Sequence, residues 1–191
     1  MKKHIITACL YTAITAVLLG IVYPLAVTAI AQLLFRPQAD GELISRNGQV
    51  IGSRLIGQAF TGPDYFDSRP SDAGAGYDAS SSGGSNLAPT SKALISRIDE
   101  SIKDQGDGAP MPVDLVTASA SGLDPDISPA AALYQVDRVA AARRLQPARV
   151  LALVQAHITP REFGLLGEPR VNLLELNLAL IHLAPIASQA R

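Results

Sequence analysis

The stretch Ser80-Ser81-Ser82-Gly83-Gly84-Ser85-Asn86 has the residue types best suited to binding chemistry. Glycine-rich backbone can turn consecutive N–H groups toward an anion, and serine hydroxyls add donors. Ser82, Gly83, Gly84, Ser85 and Asn86 are therefore candidate nucleotide-binding residues, with a plain turn-rich loop as the alternative. Other chemistry is poorly supplied. The histidines are His4, His157 and His182, and none sits in a pattern that supports a Ser/His/Asp triad. His157, among apolar helical residues, reads as a helix-end or core histidine rather than a base. Asp64 with Asp67, and Asp124 with Asp126, are loop carboxylates of the kind that form turns and caps more often than they hold cations. No metal-ligand spacing is present, so no metal is expected. The G-x-x-x-x-G-K-[ST] phosphate loop, the G-x-S-x-G elbow and the Asp-Lys-Thr-Gly-Thr segment phosphorylated in P-type ATPases are all absent from the sequence. No catalytic residue is expected.

The elements that would position these residues begin with the run from Ile5 to Phe35, which contains no Asp, Glu, Lys, Arg or His. About 20 apolar residues suffice to cross a hydrocarbon core. The run is therefore read as an uncleaved transmembrane helix, over residues 1–36 with its short N-terminal flank. Two alternatives remain: a buried core helix, and a signal peptide cleaved after Ala29-Ile30-Ala31. The run is about twice as long as the usual 7–15-residue apolar region of a signal peptide. Pro24 predicts a kink. Lys2 and Lys3 precede the run and only Arg36 follows closely, which places the N-terminus in the cytoplasm and residues 37–191 outside. Ala13, Ala16, Gly20 and Pro24 recur at spacings of three and four and form a candidate packing face for partner helices.

Residues 37–191 carry 17 acidic and 13 basic residues, interspersed, with no basic stripe, so nucleic acid is not an expected partner. The single cysteine, Cys9, lies in the apolar run, so the outer part must be held by a hydrophobic core rather than by disulfides. Its length suits one α+β domain. Pro37 to Gly41 reads as a linker. Glu42 to Gly57 reads as a hairpin turning at Asn47-Gly48. Gln58 to Pro89 is rich in Gly, Pro, Ser and Asp and is expected to be a long ordered loop anchored by Phe60, Tyr65, Phe66 and Tyr77. Leu94, Ile98 and Ile102 predict a helix after Thr90 or Ser91, broken at Gly106 to Pro112. Val113 to Thr117 reads as a strand and Ala118 to Ser128 as a polar turn region. Ser128-Pro129, Gln146-Pro147 and Thr159-Pro160 each read as a helix start. Val171 to Leu183 is read as a helix starting near Pro169.

Several segments together carry a resemblance. They are Gly57-Gln58-Ala59-Phe60, Tyr65 to Ser71, Ser82 to Leu87, Leu115 to Ser119, Ser121 to Pro125, Ile127-Ser128-Pro129, and Leu166-Gly167-Glu168-Pro169-Arg170-Val171-Asn172 running on to Leu180. In this order, behind one N-terminal span, they resemble the KdpC family, the small subunits of the Kdp potassium-transporting P-type ATPase of bacteria and archaea. The likeness covers nearly the whole chain. Ala88 and Ala120 stand where the family commonly has Gly, and Asp126 where it commonly has His. The Ser-Gly-Gly core is also similar to that of the ABC-transporter signature.

The resemblance implies a cell inner membrane protein, single-pass, with its main domain periplasmic. It implies three partners: a KdpA-like potassium channel subunit, a KdpB-like ATPase subunit and a small KdpF-like peptide. It also implies a non-catalytic role in assembly and as a catalytic chaperone that raises the ATP affinity of the ATPase subunit. The chain would hold no cofactor of its own, with ATP and potassium handled by the complex. One span cannot present the same domain to the outside and to cytoplasmic ATP, so any effect on nucleotide affinity is expected through conformational coupling. Arg69 and Arg170, in motif segments without a nearby base or metal, are expected to serve partner interfaces and assembly. The alternatives are a membrane-anchored periplasmic enzyme and a secreted domain.

Overall fold

A continuous helix, α1, runs from Lys2 to Leu34 and contains one wide turn, a π-helical segment at Leu18–Val22. The cause is Pro24, which has no N–H to give and whose ring crowds the carbonyl four residues back, that of Gly20. The helix adapts by switching to five-residue spacing just before it, and Tyr23 N–H donates to the Leu18 carbonyl. Within the helix, Thr7 and Thr15 donate their hydroxyls to the carbonyls of Lys3 and Tyr11 at 2.9 and 2.8 Å. None of its apolar side chains is buried within the protein. The fold is that of a computed structural model, which describes residues 1–105 and 108–183. The start of the expected break at Gly106, and the last residues of the domain, 184–191, lie outside them.

The segment expected to be a linker instead forms a helical turn, α2 (Arg36–Ala39), with Pro37 in its first turn and Arg36 paired with Asp40 at 3.6 Å. The hairpin follows: β1 (Leu43–Arg46) pairs with β2 (Gln49–Ser53). Asn47 and Gly48 both hold positive φ, 54° and 79°, as the two-residue turn between twisted strands requires. The chain divides into two compact units, Met1–Ile51 and Gly52–Arg191.

The second unit is a mixture of helices and a small antiparallel sheet. Residues 54–91 contain no helix or strand; the composition predicts this for Gln58 to Pro89, whereas the hairpin expected to reach Gly57 ends at Ser53. Then come α3 (Lys92–Gln105), α4 (Pro129–Tyr134), α5 (Val136–Arg143), α6 (Pro147–Ala156) and α7 (Leu173–Leu183). Ser128 caps α4 by accepting the Ala131 N–H at 3.1 Å, as Ser-Pro predicts. Three expectations are corrected. Val113–Leu115 is a 3-10 turn rather than a strand, because Pro112 fixes its entry and the N–H groups of Leu115 and Val116 bond three residues back. Thr159-Pro160 starts no helix: Ile158–Thr159 is a strand, β4, paired with β5 (Arg170–Asn172). The last helix starts at Leu173, not near Pro169, because residues 170–172 are taken by β5 and Asn172 Oδ1 caps the Glu175 N–H at 3.2 Å. The polar turn region ends in a strand, β3 (Asp126–Ile127), which flanks β5 on its other side, giving the order β3-β5-β4.

The core lies where α4, α5, α6 and α7 meet this sheet. Val139, Val150, Val154, Val171, Leu176 and Leu180 are fully buried there. Phe66, from the irregular segment, is fully buried in the same cluster, with Phe60 packed against it. The aromatic residues thus anchor the long loop as the sequence suggests.

Candidate functional site

Two buried amides do the most to shape the second unit. Asn177 stands on α7 among leucines and is completely buried. Its Oδ1 accepts the Phe66 N–H at 2.9 Å and its Nδ2 donates to the Phe66 carbonyl at 3.0 Å. Gln135, at the joint of α4 and α5, treats the next residue the same way: Oε1 accepts the Asp67 N–H at 2.7 Å and Nε2 donates to its carbonyl at 3.1 Å. Each amide replaces the neighbouring strand that an extended backbone lacks. Arginines of α5 complete the grip. Arg138 bonds Asp67 Oδ2 at 2.8 Å and the Pro63 carbonyl at 2.9 Å. Arg143 donates to the Asp64 carbonyl and lies 5.0 Å from the centre of the Tyr65 ring. Burial pushes the Asp67 carboxyl above its ordinary range, and Arg138 opposes the rise.

The sequence-chosen residues take their places around this clamp. Arg69 reaches Asp124 Oδ2 at 3.2 Å and the Thr117 carbonyl at 3.4 Å. Ser71 donates to the Gly122 carbonyl at 2.6 Å and accepts the Tyr77 N–H at 2.8 Å. The Tyr77 hydroxyl engages Ser68 and the Arg69 carbonyl. Arg170 bonds Glu162 at 3.1 Å and Asp126 at 3.4 Å. Asp126 also accepts from Asn172 Nδ2 at 3.2 Å. Burial is the main reason its carboxyl is raised, with Asp124 and Glu175 adding to the rise and Asn172 and Arg170 opposing it.

The Ser82–Asn86 loop is laid against residues 119–122. Gly83 N–H donates to the Ser121 carbonyl at 2.9 Å, and Ser82 Oγ donates to the same oxygen at 2.9 Å. A Cβ on Gly84 would meet the Ala120 carbonyl oxygen at 3.0 Å. On the other side, Gly122, with φ +65°, leaves no room for a side chain: a Cβ there would lie 2.5 Å from the Gly83 carbonyl oxygen and 2.6 Å from Ala73 N. Loop and support thus approach backbone to backbone, and the donors of Ser82 and Gly83 point at a protein carbonyl.

A cavity of about 410 Å³ opens nearby between the irregular segment and α3, lined by Phe60, Thr61, Asp67, Arg69, Tyr77 and Arg97 among others. Its two guanidinium groups are each met by a carboxylate, Arg69 by Asp124 and Arg97 by Asp72 at 2.8 Å. His157 ends α6 with Nδ1 2.8 Å from the Leu153 carbonyl oxygen. Among the described residues no group of three or more His, Cys, Asp or Glu is placed to hold a metal ion.

On α1, Ala13, Ala16, Gly20 and Pro24 lie within the span, and Gly20 has open space where a side chain would stand. A shallow apolar groove runs beside them along Ala13, Ile14, Val17, Leu18 and Val22, at the wide turn. The structure therefore leaves the small-residue face and its groove uncovered. It ties Arg69 and Arg170 into their own domain, and it joins the quoted motif segments to one another: 57 to 123, 66 to 177, 69 to 124, 71 to 122 and 83 to 121. Gln135 had no place among the sequence candidates. Its one sequence signal is a lone amide between the apolar run Ala130 to Tyr134 and Val136.

A family described as "KdpC: K+-transporting ATPase, c chain" matches residues 5–182. The chain is similar to the potassium-transporting ATPase KdpC subunit of Acidobacterium capsulatum, 62% identical over 93% of this chain and 97% of that one. It is similar to the same subunit of Koribacter versatilis, 54% identical over 94% and 95%. Its likeness to that of Gemmatimonas aurantiaca is 55% identity over 100% and 98% of the two chains.

Proposed function

Because this chain belongs to the KdpC family of potassium-transporting ATPase subunits, we propose that it is the pump's non-catalytic accessory subunit, required for assembly. In this reading it raises the ATP affinity of the KdpB-like ATPase subunit. The other partners are the KdpA-like channel subunit and a KdpF-like peptide, and all cofactor and ion chemistry stays with them. Residues 1–36 carry the cytoplasmic N-terminus and the single span of the inner membrane, and residues 37–191 form the periplasmic domain.

One observation carries the non-catalytic reading. The polar side chains of the motif segments bond each other and the backbone of the 54–91 segment, so their chemistry goes into shaping a rigid body. Arg69 pairs with Asp124, Asn177 with Phe66 and Ser71 with Gly122. The inward donors of Ser82 and Gly83 favour a nucleotide effect transmitted through the complex over a direct phosphate contact by the Ser82–Asn86 loop.

The test is to purify the pump from cells with and without this chain. The expected outcome is loss of a stable complex without it, or a complex whose KM for ATP rises while a complex containing the chain keeps a low one. Equal recovery and equal KM would refute the role. An ATP analogue that photo-crosslinks to residues 81–86 in the assembled pump would replace coupling with direct contact.

A further inference from the structure

The cavity of about 410 Å³ between the irregular segment and α3 is lined by two arginines that use their donors very differently. Arg69 commits all three nitrogens: Nη1 to Asp124 at 3.2 Å, Nε to the Thr117 carbonyl at 3.4 Å and Nη2 to the Thr117 hydroxyl at 3.5 Å. Arg97 commits one. Its Nη1 lies 2.8 and 2.9 Å from the two carboxylate oxygens of Asp72. Its Nε and Nη2 are buried and have no hydrogen-bond partner among the described residues. A guanidinium presents parallel N–H groups from Nε and Nη2, and that edge matches the two oxygens of a carboxylate. Asp72 therefore neutralises Arg97 from one end and leaves its forked edge unspent. A buried charged donor without an acceptor is costly, so the edge calls for an acceptor.

We propose that this cavity binds a small organic carboxylate, with its two oxygens on the Nε and Nη2 edge of Arg97 and its apolar body against Phe60 and Leu115. Both nitrogens are closed to solvent, so the carboxylate meets them after a small turn of the guanidinium about its Nη1–Asp72 pair. The rest of the lining selects this class of ligand. Ala59, Phe60, Pro70 and Leu115 supply apolar surface that an inorganic oxyanion would leave unmatched. The charges along the wall are already balanced in pairs, Arg69 with Asp124, Arg97 with Asp72 and Asp67 with Arg138. A singly charged ligand therefore brings in less uncompensated charge than a dianion such as sulfate. The volume falls within the range of about 300–1,000 Å³ usual for small-molecule sites. The site is built from this chain alone, so it stands or falls separately from the subunit reading.

The test uses the purified full chain in detergent, with benzoate as the probe. Benzoate is expected to raise Tm saturably and to bind one to one by calorimetry. Benzamide, of the same shape without the charge, and sodium sulfate at matched ionic strength are expected to bind about tenfold more weakly or worse. Arg97→Lys keeps a cation for Asp72 but has no forked edge, so benzoate affinity should fall about tenfold or more. The sequence contains no tryptophan. Thr61→Trp, at an exposed position on the cavity wall, therefore supplies a single reporter whose emission should follow the same benzoate isotherm. That readout does not depend on the folding of the Arg97→Lys variant. No benzoate binding, equal binding of benzamide, tighter binding of sulfate, or wild-type affinity in Arg97→Lys overturns the proposal. So does benzoate binding that leaves the emission of the Thr61→Trp variant unchanged.

Discussion

An extended peptide without a neighbouring strand has two backbone groups per residue to satisfy, and at Phe66 and Asp67 side-chain amides meet that need. The arrangement is demanding because Asn177 is fully buried and offers no water as substitute. Removing it leaves the Phe66 N–H and carbonyl without partners in the core, and each buried group left so costs about 1–3 kcal/mol. Asn177→Leu, close in volume and well suited to its helix, is therefore expected to lower stability by about 2–5 kcal/mol. For a chain of this size that corresponds to a drop of about 5–15 °C in Tm. Thermal unfolding of the full chain in detergent measures it, and a Tm within a degree of wild type would show that Asn177 does not clamp Phe66. The same logic applies to Arg69 and Arg170, whose ion pairs with Asp124 and with Glu162 and Asp126 tie distant loops together.

At the scale of elements, the structure depends on two irregular segments meeting backbone to backbone, and Gly122 is where they meet most closely. Any Cβ there collides with two main-chain atoms and must also adopt φ +65°. Gly122→Ala is expected to cost about 2–4 kcal/mol, from strain of about 1–3 kcal/mol together with overpacking. Its first consequence should be release of residues 78–90. Limited proteolysis reports this directly: the variant should be cut within that segment at protease levels that leave the wild type whole, and equal resistance would show that the close approach at Gly122 does not hold the segment in place. Which elements were legible beforehand follows from where their causes lie in the chain. Asn47-Gly48 and Ser128-Pro129 act on their neighbours alone, so the hairpin and α4 could be read from them. Strands β3, β4 and β5 are only two or three residues long and exist because they pair with each other across the fold. No local pattern of Thr159-Pro160 or Val171 reveals that. The amide clamps span 111 and 68 residues of sequence, so the irregular segment was legible as a loop with aromatic anchors but not the means by which it is held. The Ser82–Asn86 loop was legible as glycine-rich, while the direction of its donors depends on Ser121, well beyond it.

For the whole molecule, one physical fact governs placement: a helix of 33 residues with none of its apolar window buried requires an apolar environment from outside the chain. The wide turn before Pro24 preserves the continuity of that helix, so in the proposed single-span reading the residues on either side of it lie in different compartments. The two lysines ahead of it, against Arg36 alone close behind it, favour a cytoplasmic N-terminus. Because Cys9 is the only cysteine, introduced thiols give a clean test in a Cys9→Ser background. Ala79→Cys, at an exposed site of the second unit, should be labelled in spheroplasts by a membrane-impermeant maleimide. His4→Cys, exposed at the start of α1, should be labelled only after the membrane is opened. The reversed pattern would put the domain on the same side as ATP, and coupling through the complex would no longer be needed to explain an effect on nucleotide affinity. Labelling of both sites in closed spheroplasts would mean that the helix does not span the membrane, leaving its exposed apolar surface to be covered by partner subunits alone.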